Sequence, residues 1–167
     1  MSFCEKLADH LEAADVHKGP GMSVRVGIGC EANSLPSLAQ SARLAREALD
    51  VGRGLGLRIC PSNALRAEML LSYISPFHQR QHIEQTLHNV HKIDDELSDT
   101  FLAWCRNPFS AGKVAQELSI HRNTLQYRLK KIKEIWGLDP WDFHDCFTLW
   151  SALILRKLER STQEGEG

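Results

Sequence analysis

The sequence lacks any apolar run as long as a membrane span, and it contains no GxSxG motif or plausible Ser/His/Asp set. It also lacks a large net charge, because 20 basic and 21 acidic residues leave a formal charge of −1. Any anionic partner must therefore be bound by a local patch. The N-terminal stretch is acidic and amphipathic, unlike a secretory signal peptide. We expect a cytoplasmic protein with no membrane partner, no catalytic residues and no enzymatic activity.

Paired metal ligands are also scarce. The five cysteines are odd in number, widely separated and never spaced as CxxC, which predicts reduced, mostly buried thiols. Two histidine pairs, His78 with His82 and His88 with His91, would share faces of a helix. No carboxylates or thiols converge on them, so a solvated connector helix is the preferred interpretation. We predict no metal ion and no other cofactor.

The first third of the chain alternates between helical and strand-like periodicity. Gly27 and Gly29 form a lone GxG, too short for a dinucleotide fingerprint, and we expect them to let neighbouring backbone approach closely. Ser34 is a predicted helix N-cap, with Pro36 in the first turn. Two strands make a poor sheet alone, so we expect partner strands outside this chain or from a second copy. The predicted elements are a helix over residues 3–14, a strand over 23–30, a helix from Ser34 to residues 52–54, a strand over 57–60 and a helix over 64–74.

Strand signals disappear from about residue 75 onward. Further helices are predicted over residues 95–105, 111–118, 121–137 and 141–159, with prolines at the breaks between them. The predicted fold class is therefore α+β, a two-stranded α/β module followed by an all-α domain. The predicted domains are the α/β module over 1–74, a connector over 75–93, the helical domain over 94–160 and a disordered tail over 161–167.

Residues 121–133 concentrate positive charge in a nearly neutral chain, with five Lys or Arg and no acid. On a helical wheel, Leu125, Leu129, Ile132 and Trp136 fall on one narrow face, and polar and cationic side chains project from the opposite face. The short preceding helix and the tight turn are typical of a helix-turn-helix, whose second helix enters the DNA major groove. The pattern also fits a solvated amphipathic helix with cations near its C-terminus, where they suit the helix dipole. The residues alone leave both interpretations open.

The segment KVAQELSIHRNTLQYRLKKIKEIWGLD, residues 113–139, resembles the C-terminal helix-turn-helix of PucR/CdaR-type transcription regulators. The shared positions are Ile-His-Arg-Asn-Thr-Leu over 120–125, Tyr-Arg-Leu over 127–129, Lys-Ile at 131–132 and Gly-Leu-Asp over 137–139. The sequence departs from the family at Trp136, where threonine is usual. The resemblance implies a DNA-binding transcription regulator with double-stranded DNA as its partner.

Residues 23–53 resemble the latter part of the degenerate GGDEF-like domain of CdaR-type sugar diacid regulators. A Gly-Gly-Asp/Glu-Glu-Phe run is absent from the sequence, so cyclase chemistry is not expected. In that family an N-terminal diacid-recognition domain comes first, and neither it nor the early GGDEF-like strands can be located in this sequence. The resemblance therefore implies a C-terminal piece or a shortened relative, with a small-molecule effector, such as a sugar diacid, sensed by a domain outside this chain.

The helix-turn-helix interpretation assigns specific contacts to the polar face. Arginine pairs with guanine, whereas asparagine and glutamine pair with adenine, so we expect base contacts from Arg122, Asn123 and Gln126. His121 contacts phosphate, caps the helix or packs against it. The predicted phosphate contacts, which position the protein without specifying sequence, are Thr124, Tyr127, Arg128, Lys130 and Lys113.

One such unit contacts few base pairs, so we predict a homodimer with two recognition helices about 34 Å apart. The strands of the first part and the long last helix are the two candidate dimer surfaces. The alternative function is a protein-interaction module in which the basic helix docks an acidic partner. Steep salt dependence together with a sequence preference distinguishes DNA binding from this alternative.

Overall fold

The computed structural model describes residues 24–87, 94–107 and 110–164. The chain divides into two compact units. Of the described residues, 24–74 and 157–164 belong to the first unit, and 75–87, 94–107 and 110–156 belong to the second. The helix predicted over residues 3–14 lies outside the described residues.

A small parallel sheet and two helices begin the first unit. The strands β1 (Val26–Ile28) and β2 (Ile59–Pro61) pair in parallel, with their first residues opposite each other and their last residues opposite each other. Parallel strands need a crossover connection, which α1 (Leu35–Gly54) provides, and α2 (Arg66–Ser72) follows β2. The two predicted strands therefore pair with one another, and further strands from outside the chain stay a prediction.

Local sequence signals place α1 against β1. The Ser34 hydroxyl accepts the Ser37 N–H at 3.3 Å, and the Ser37 hydroxyl accepts the Ser34 N–H at 3.0 Å, which forms a capping box. A Cβ at Gly27 would lie 2.2 Å from the Ala45 carbonyl oxygen, and Gly29 is equally restricted. The predicted N-cap and the predicted close approach of backbone at these glycines are both confirmed.

Apolar burial holds the first unit together. Its core is a cluster of five buried side chains from α1, β2 and the start and middle of α2, with partly buried leucines packed around them. Burial of such side chains provides most of the favourable free energy of folding. The buried members are Ala48, Val51, Cys60, Leu65 and Met69, and the surrounding residues are Leu44, Leu49, Leu55 and Leu158.

The second unit is built from helices. Its largest fully buried side chains include Phe101, Leu125, Leu129, Leu149 and Leu153. The final helix runs past residue 156 into the part of the chain that belongs to the first unit. The helices are α3 (Pro76–Thr86), α4 (Asp95–Arg106), α5 (Ala111–Glu117), α6 (Arg122–Trp136) and α7 (Phe143–Glu164).

Two segments differ from their predicted state. The helix α3 lies in the predicted connector but packs within the second unit, because Ile83 and Leu87 are buried and His82 is hydrogen-bonded to Ser151 at 2.8 Å. The helix α7 continues to residue 164, so the first four residues of the predicted disordered tail are helical. Among the residues that the structure describes, no helix is both long and apolar enough to cross a membrane.

Candidate nucleic-acid interface

The turn between α5 and α6 is only four residues long, as a helix-turn-helix requires. The Ile120 N–H donates to the Ala115 carbonyl at 2.9 Å, and the Ser119 N–H donates to the Gln116 carbonyl at 3.2 Å. These two bonds form a Schellman motif, which needs a left-handed residue after the C-cap. Ser119 takes that conformation with φ of +53°, alone among the described residues other than glycine. The turn geometry therefore fixes the direction in which α6 leaves α5.

Capping defines both ends of α6. His121 is the N-cap, and its Nδ1 accepts the Asn123 N–H at 3.2 Å. At the C-terminus, Gly137 has φ of +71° and donates its N–H to the Lys133 carbonyl at 2.9 Å. Of the roles predicted for His121, the structure therefore displays capping of the helix.

The buried face of α6 is the predicted apolar stripe. Leu125, Leu129 and Ile132 are completely buried, and Trp136 is 4% exposed. These side chains pack against α4 and α5. The Trp136 indole N–H has no hydrogen-bond partner among the described residues, at the position where the sequence departs from its family pattern. The prediction that this stripe anchors the helix is confirmed.

The opposite face of α6 is exposed and carries most of the predicted contact residues. Lys130 lies 3.8 Å from Glu134, but both side chains are mostly exposed, so this ion pair is weak and leaves the lysine available. Tyr127 is 64% exposed, which is unusual for a large aromatic side chain on a well-packed helix. The exposed predicted residues are Arg122, Asn123, Thr124, Gln126, Tyr127 and Lys130 on α6 and Lys113 on α5, with His121 exposed at the cap.

Arg128 does not join this exposed face. Its side chain is only 15% exposed, and its guanidinium forms an ion pair with the Glu96 carboxylate of α4. It also donates to the buried Thr100 hydroxyl at 3.2 Å. Two of its N–H groups are therefore used within the protein, and the side chain is directed towards α4. The predicted contact between Arg128 and phosphate stays a prediction.

A second set of polar contacts joins the end of α4 to α5. Arg106 forms an ion pair with Glu117 at 2.7 Å, and the Asn107 side-chain amide also donates to this carboxylate. The hydrogen bond from Arg106, and then that from Asn107, hold the pKa of the Glu117 carboxyl below its ordinary value. These contacts fix α5, which in turn supports the turn into α6.

The chain after α6 is fixed in the same way. Lys133 forms an ion pair with Asp139 at 2.5 Å, and this contact lowers the pKa of the Asp139 carboxyl. The Trp104 indole N–H donates to the Pro140 carbonyl at 2.8 Å, so α4 also holds the segment that follows α6. The helix α6 is therefore held at its start, along its buried face and at its end.

Comparison with known proteins identifies this part of the chain. Residues 97–155 match the family model of the PucR C-terminal helix-turn-helix domain. They belong to that family. The match covers α4 from its third helical residue, α5, α6 and most of α7, which are the elements that build the proposed interface. The predicted PucR-type helix-turn-helix is confirmed.

Curated relatives of the PucR-type domain support the same class. The chain is 32% identical over 138 residues to the carbohydrate diacid regulator of Escherichia coli K12, a match that covers 78% of this chain and 35% of that protein. It is 28% identical over 163 residues to the proline-responsive transcriptional activator PutR of Bacillus subtilis 168, covering 93% and 39%. The transcriptional activator PmfR of Paenarthrobacter nicotinovorans is 34% identical over 73 residues, covering 42% and 16%. The chain therefore spans well under half the length of these relatives.

The relatives named above are a regulator and two transcriptional activators, which agrees with the predicted class of DNA-binding transcription regulator. The family model matches residues 97–155 and does not include residues 23–53, so the GGDEF-like module stays a prediction. Sequence reasoning missed four residues that hold α5 and α6 in place, which are Glu96, Thr100, Arg106 and Glu117. Their partners lie ten to 32 residues away in sequence, beyond the reach of any helical-wheel argument.

The predicted absence of a metal site concerns two histidine pairs, of which only the first lies in the described residues. The His78 Nδ1 is 2.7 Å from the Ser75 hydroxyl, and the His82 Nε2 is 2.8 Å from the Ser151 hydroxyl. Within residues 24–87, 94–107 and 110–164, no group of three or more His, Cys, Asp or Glu is arranged to hold a metal ion. These histidines therefore serve as hydrogen-bonding partners of neighbouring serines.

Burial disfavours the thiolate form of the cysteines of the second unit. It raises the pKa of the Cys105 thiol to about 12 and that of Cys146 to about 11. Cys60 in the first unit is also buried, whereas Cys30 is exposed and Cys4 lies outside the described residues. The described thiols are free, and those of the second unit are packing residues.

Proposed function

We propose that the chain is the DNA-binding part of a PucR-type transcription regulator, and that α6 lies in the major groove of double-stranded DNA. The observation that carries this proposal is the separation of the two faces of α6. Its apolar side chains are buried against α4 and α5, whereas its arginine, amide and lysine side chains are exposed on the other side. A major groove accepts a helix presented in this way.

The base contacts are proposed for the first two turns of α6. Arg122 can donate two hydrogen bonds to the O6 and N7 atoms of guanine, and Asn123 and Gln126 can pair with adenine. All three side chains are exposed, and they lie at the end of the helix that emerges from the turn. This end of a recognition helix is the one that contacts base edges in helix-turn-helix proteins.

The phosphate contacts are proposed for the surrounding residues. Thr124, Tyr127 and Lys130 flank the base-contacting positions on α6, and Lys113 extends the surface onto α5. His121 already accepts the Asn123 N–H, so its proposed role is to cap the helix end that faces DNA. The chain's near-zero net charge makes this local set of cations its means of attracting the DNA backbone.

The activity of the whole protein is also a proposal. We infer a cytoplasmic homodimer whose first unit is part of a GGDEF-like module, because residues 23–53 resemble that domain. The relatives include regulators named for carbohydrate diacids and for proline, so a small-molecule effector, such as a sugar diacid, is proposed to act through a domain outside this chain.

Selection of binding sites from a pool of random duplexes tests the proposed function. We expect enrichment of a defined sequence, tighter binding to that duplex than to a scrambled one, and affinity that falls steeply as salt rises. Binding without any sequence preference, or none at all, would instead favour a protein-interaction module that docks an acidic partner. Repeating the selection with the full-length gene product, with and without candidate diacids, tests the effector.

A further inference from the structure

We infer that Arg128 is a positioning residue, which holds the recognition helix at a defined angle through Glu96 and Thr100 and does not contact DNA. The inference rests on the proposed function, since it assigns a role within the same DNA-binding surface. Its starting point is a contrast along α6: Tyr127 is 64% exposed, whereas the neighbouring Arg128 side chain is 15% exposed. A cation of this helix is thus withdrawn from the surface that carries the others.

The Arg128 network, defined as Arg128 with Glu96 and Thr100, has a fixed direction of hydrogen bonding. The Thr100 hydroxyl is buried and donates to the Glu96 backbone carbonyl at 2.7 Å, so it can only accept from the Arg128 guanidinium. The second guanidinium nitrogen of Arg128 pairs with the Glu96 carboxylate. Glu96 is itself held by Asp94, whose carboxylate accepts the Glu96 N–H at 3.0 Å. The network therefore joins the N-cap region of α4 to the middle of α6.

Removing Arg128 from this network to contact phosphate would be unfavourable. To reach a phosphate, the guanidinium would have to give up its hydrogen bonds to Glu96 and Thr100. The Glu96 carboxylate would then be unpaired and would repel the DNA backbone. The planar guanidinium instead fixes both position and orientation, because it donates in two directions at once. Donor–acceptor distances in favourable hydrogen bonds vary by only a few tenths of an ångström. A small tilt of α6 would therefore move Arg122, Asn123 and Gln126 out of hydrogen-bonding distance of the bases.

The test compares DNA affinity for Glu96→Gln, Arg128→Gln and the double variant, each measured on cognate and scrambled duplexes across a range of salt concentrations. The temperature is kept well below the melting transition of every variant, so that only folded protein is compared. Glu134→Gln is the matched control, because it removes an acid from an exposed ion pair on the same helix. Lys130→Gln is the reference for a lost phosphate contact.

The expected change in DNA affinity for Glu96→Gln is opposite in direction to the change expected if Arg128 contacted phosphate directly. Removing an acid near a DNA-binding surface ordinarily strengthens DNA binding, yet we expect Glu96→Gln to weaken cognate binding by about tenfold. Arg128→Gln should weaken cognate binding by a similar factor, and the double variant should show no further loss. In Arg128→Gln the ratio of cognate to scrambled affinity should fall, and the dependence of affinity on salt should stay unchanged. Glu134→Gln should leave this ratio unchanged.

Three results would overturn the inference. The first is that Arg128→Gln lowers the salt slope by about 0.9, as Lys130→Gln should, while Glu96→Gln strengthens binding, which would make Arg128 a phosphate contact. The second is that the variants melt at lower temperature but bind DNA unchanged when folded, which would make the network merely stabilising. The third, that the wild-type chain shows no salt-dependent duplex binding, would remove the proposed function as well. If Arg128→Gln does not fold, the sign of the Glu96→Gln effect decides the question.

Discussion

Arg122 is the exposed side chain of α6 whose chemistry best suits a single base pair. The Arg122→Ala variant should bind its cognate duplex more weakly by about 1–3 kcal/mol and should accept other bases at one position of the site. Titration of cognate and single-substitution duplexes measures both effects. Lys130→Gln is the control, because loss of a phosphate contact should weaken all duplexes alike and lower the salt slope by about 0.9. If Arg122→Ala binds cognate and scrambled DNA as the wild type does, the proposed docking is incorrect.

Trp136 is buried at the end of α6 with an indole N–H that has no partner among the described residues. Trp136→Phe keeps an aromatic ring and removes that unpaired donor, so we expect the free energy of unfolding to change by no more than about 1 kcal/mol. Trp136→Ala should lose about 3–5 kcal/mol, because it leaves a cavity. Urea denaturation followed by circular dichroism measures both variants. A large loss in Trp136→Phe would mean that the indole N–H is satisfied in solution.

At the scale of elements, the turn between α5 and α6 depends on one strained residue. Ser119 has φ of +53°, and a β-branched side chain tolerates this conformation poorly. We therefore expect Ser119→Val to lower the free energy of unfolding by about 1 kcal/mol. Tryptophan fluorescence during urea denaturation reports on this part of the protein, because all four tryptophans lie in the second unit. Ser119→Gly, which tolerates the conformation, is the control. Equal stability of the Val and Ser proteins would contradict the left-handed turn.

The contact between α4 and α5 predicts a dependence on pH. Glu117 has a pKa below its ordinary value of 4.5 in the folded protein, because Arg106 and Asn107 donate to its carboxylate. A lowered folded pKa adds stability that is present above the unfolded pKa and is lost as pH falls through the folded pKa. Thermal melting below about pH 4.5 should therefore vary less with pH in Glu117→Gln than in the wild type. Glu134→Gln, from an exposed ion pair, should keep the wild-type profile. Matching profiles for all three proteins would mean that this contact does not form in solution.

Sequence could predict the elements whose causes are local. Three features depend only on residues a few positions away or on one packed neighbour. They are the apolar stripe through Leu125 and Leu129, the N-cap at Ser34 and the glycine at position 27. Sequence could not predict which cations of α6 stay exposed. The wheel places Lys130 opposite the apolar stripe and Arg128 at its flank, but the ion pair of Arg128 depends on Glu96 of α4, which lies 32 residues earlier in the sequence. Contacts of this kind depend on how helices pack, and a periodicity argument contains no such information.

At the scale of the whole molecule, the chain corresponds to only part of the length of its relatives. It covers 35% of the carbohydrate diacid regulator and 39% of PutR, and the proposed response to an effector is assigned to a domain outside this chain. The proposed DNA-binding surface lies within the second unit, and its supporting contacts from α4, α5 and the segment after α6 come from the same unit. We therefore expect the contacts that orient α6 to form without any domain from outside this chain.

The proposed homodimer is a prediction about symmetry as well as size. One recognition helix contacts few base pairs, whereas two helices related by a twofold axis would contact half-sites one helical turn apart, about 34 Å. Sedimentation should therefore show a dimer, at least when a duplex with both half-sites is present. Inserting five base pairs between the half-sites should weaken binding strongly, because it moves one of them to the opposite face of the DNA. Inserting ten should restore part of the affinity. A monomer at high concentration, with and without DNA, together with equal affinity for all three spacings, would eliminate the dimer.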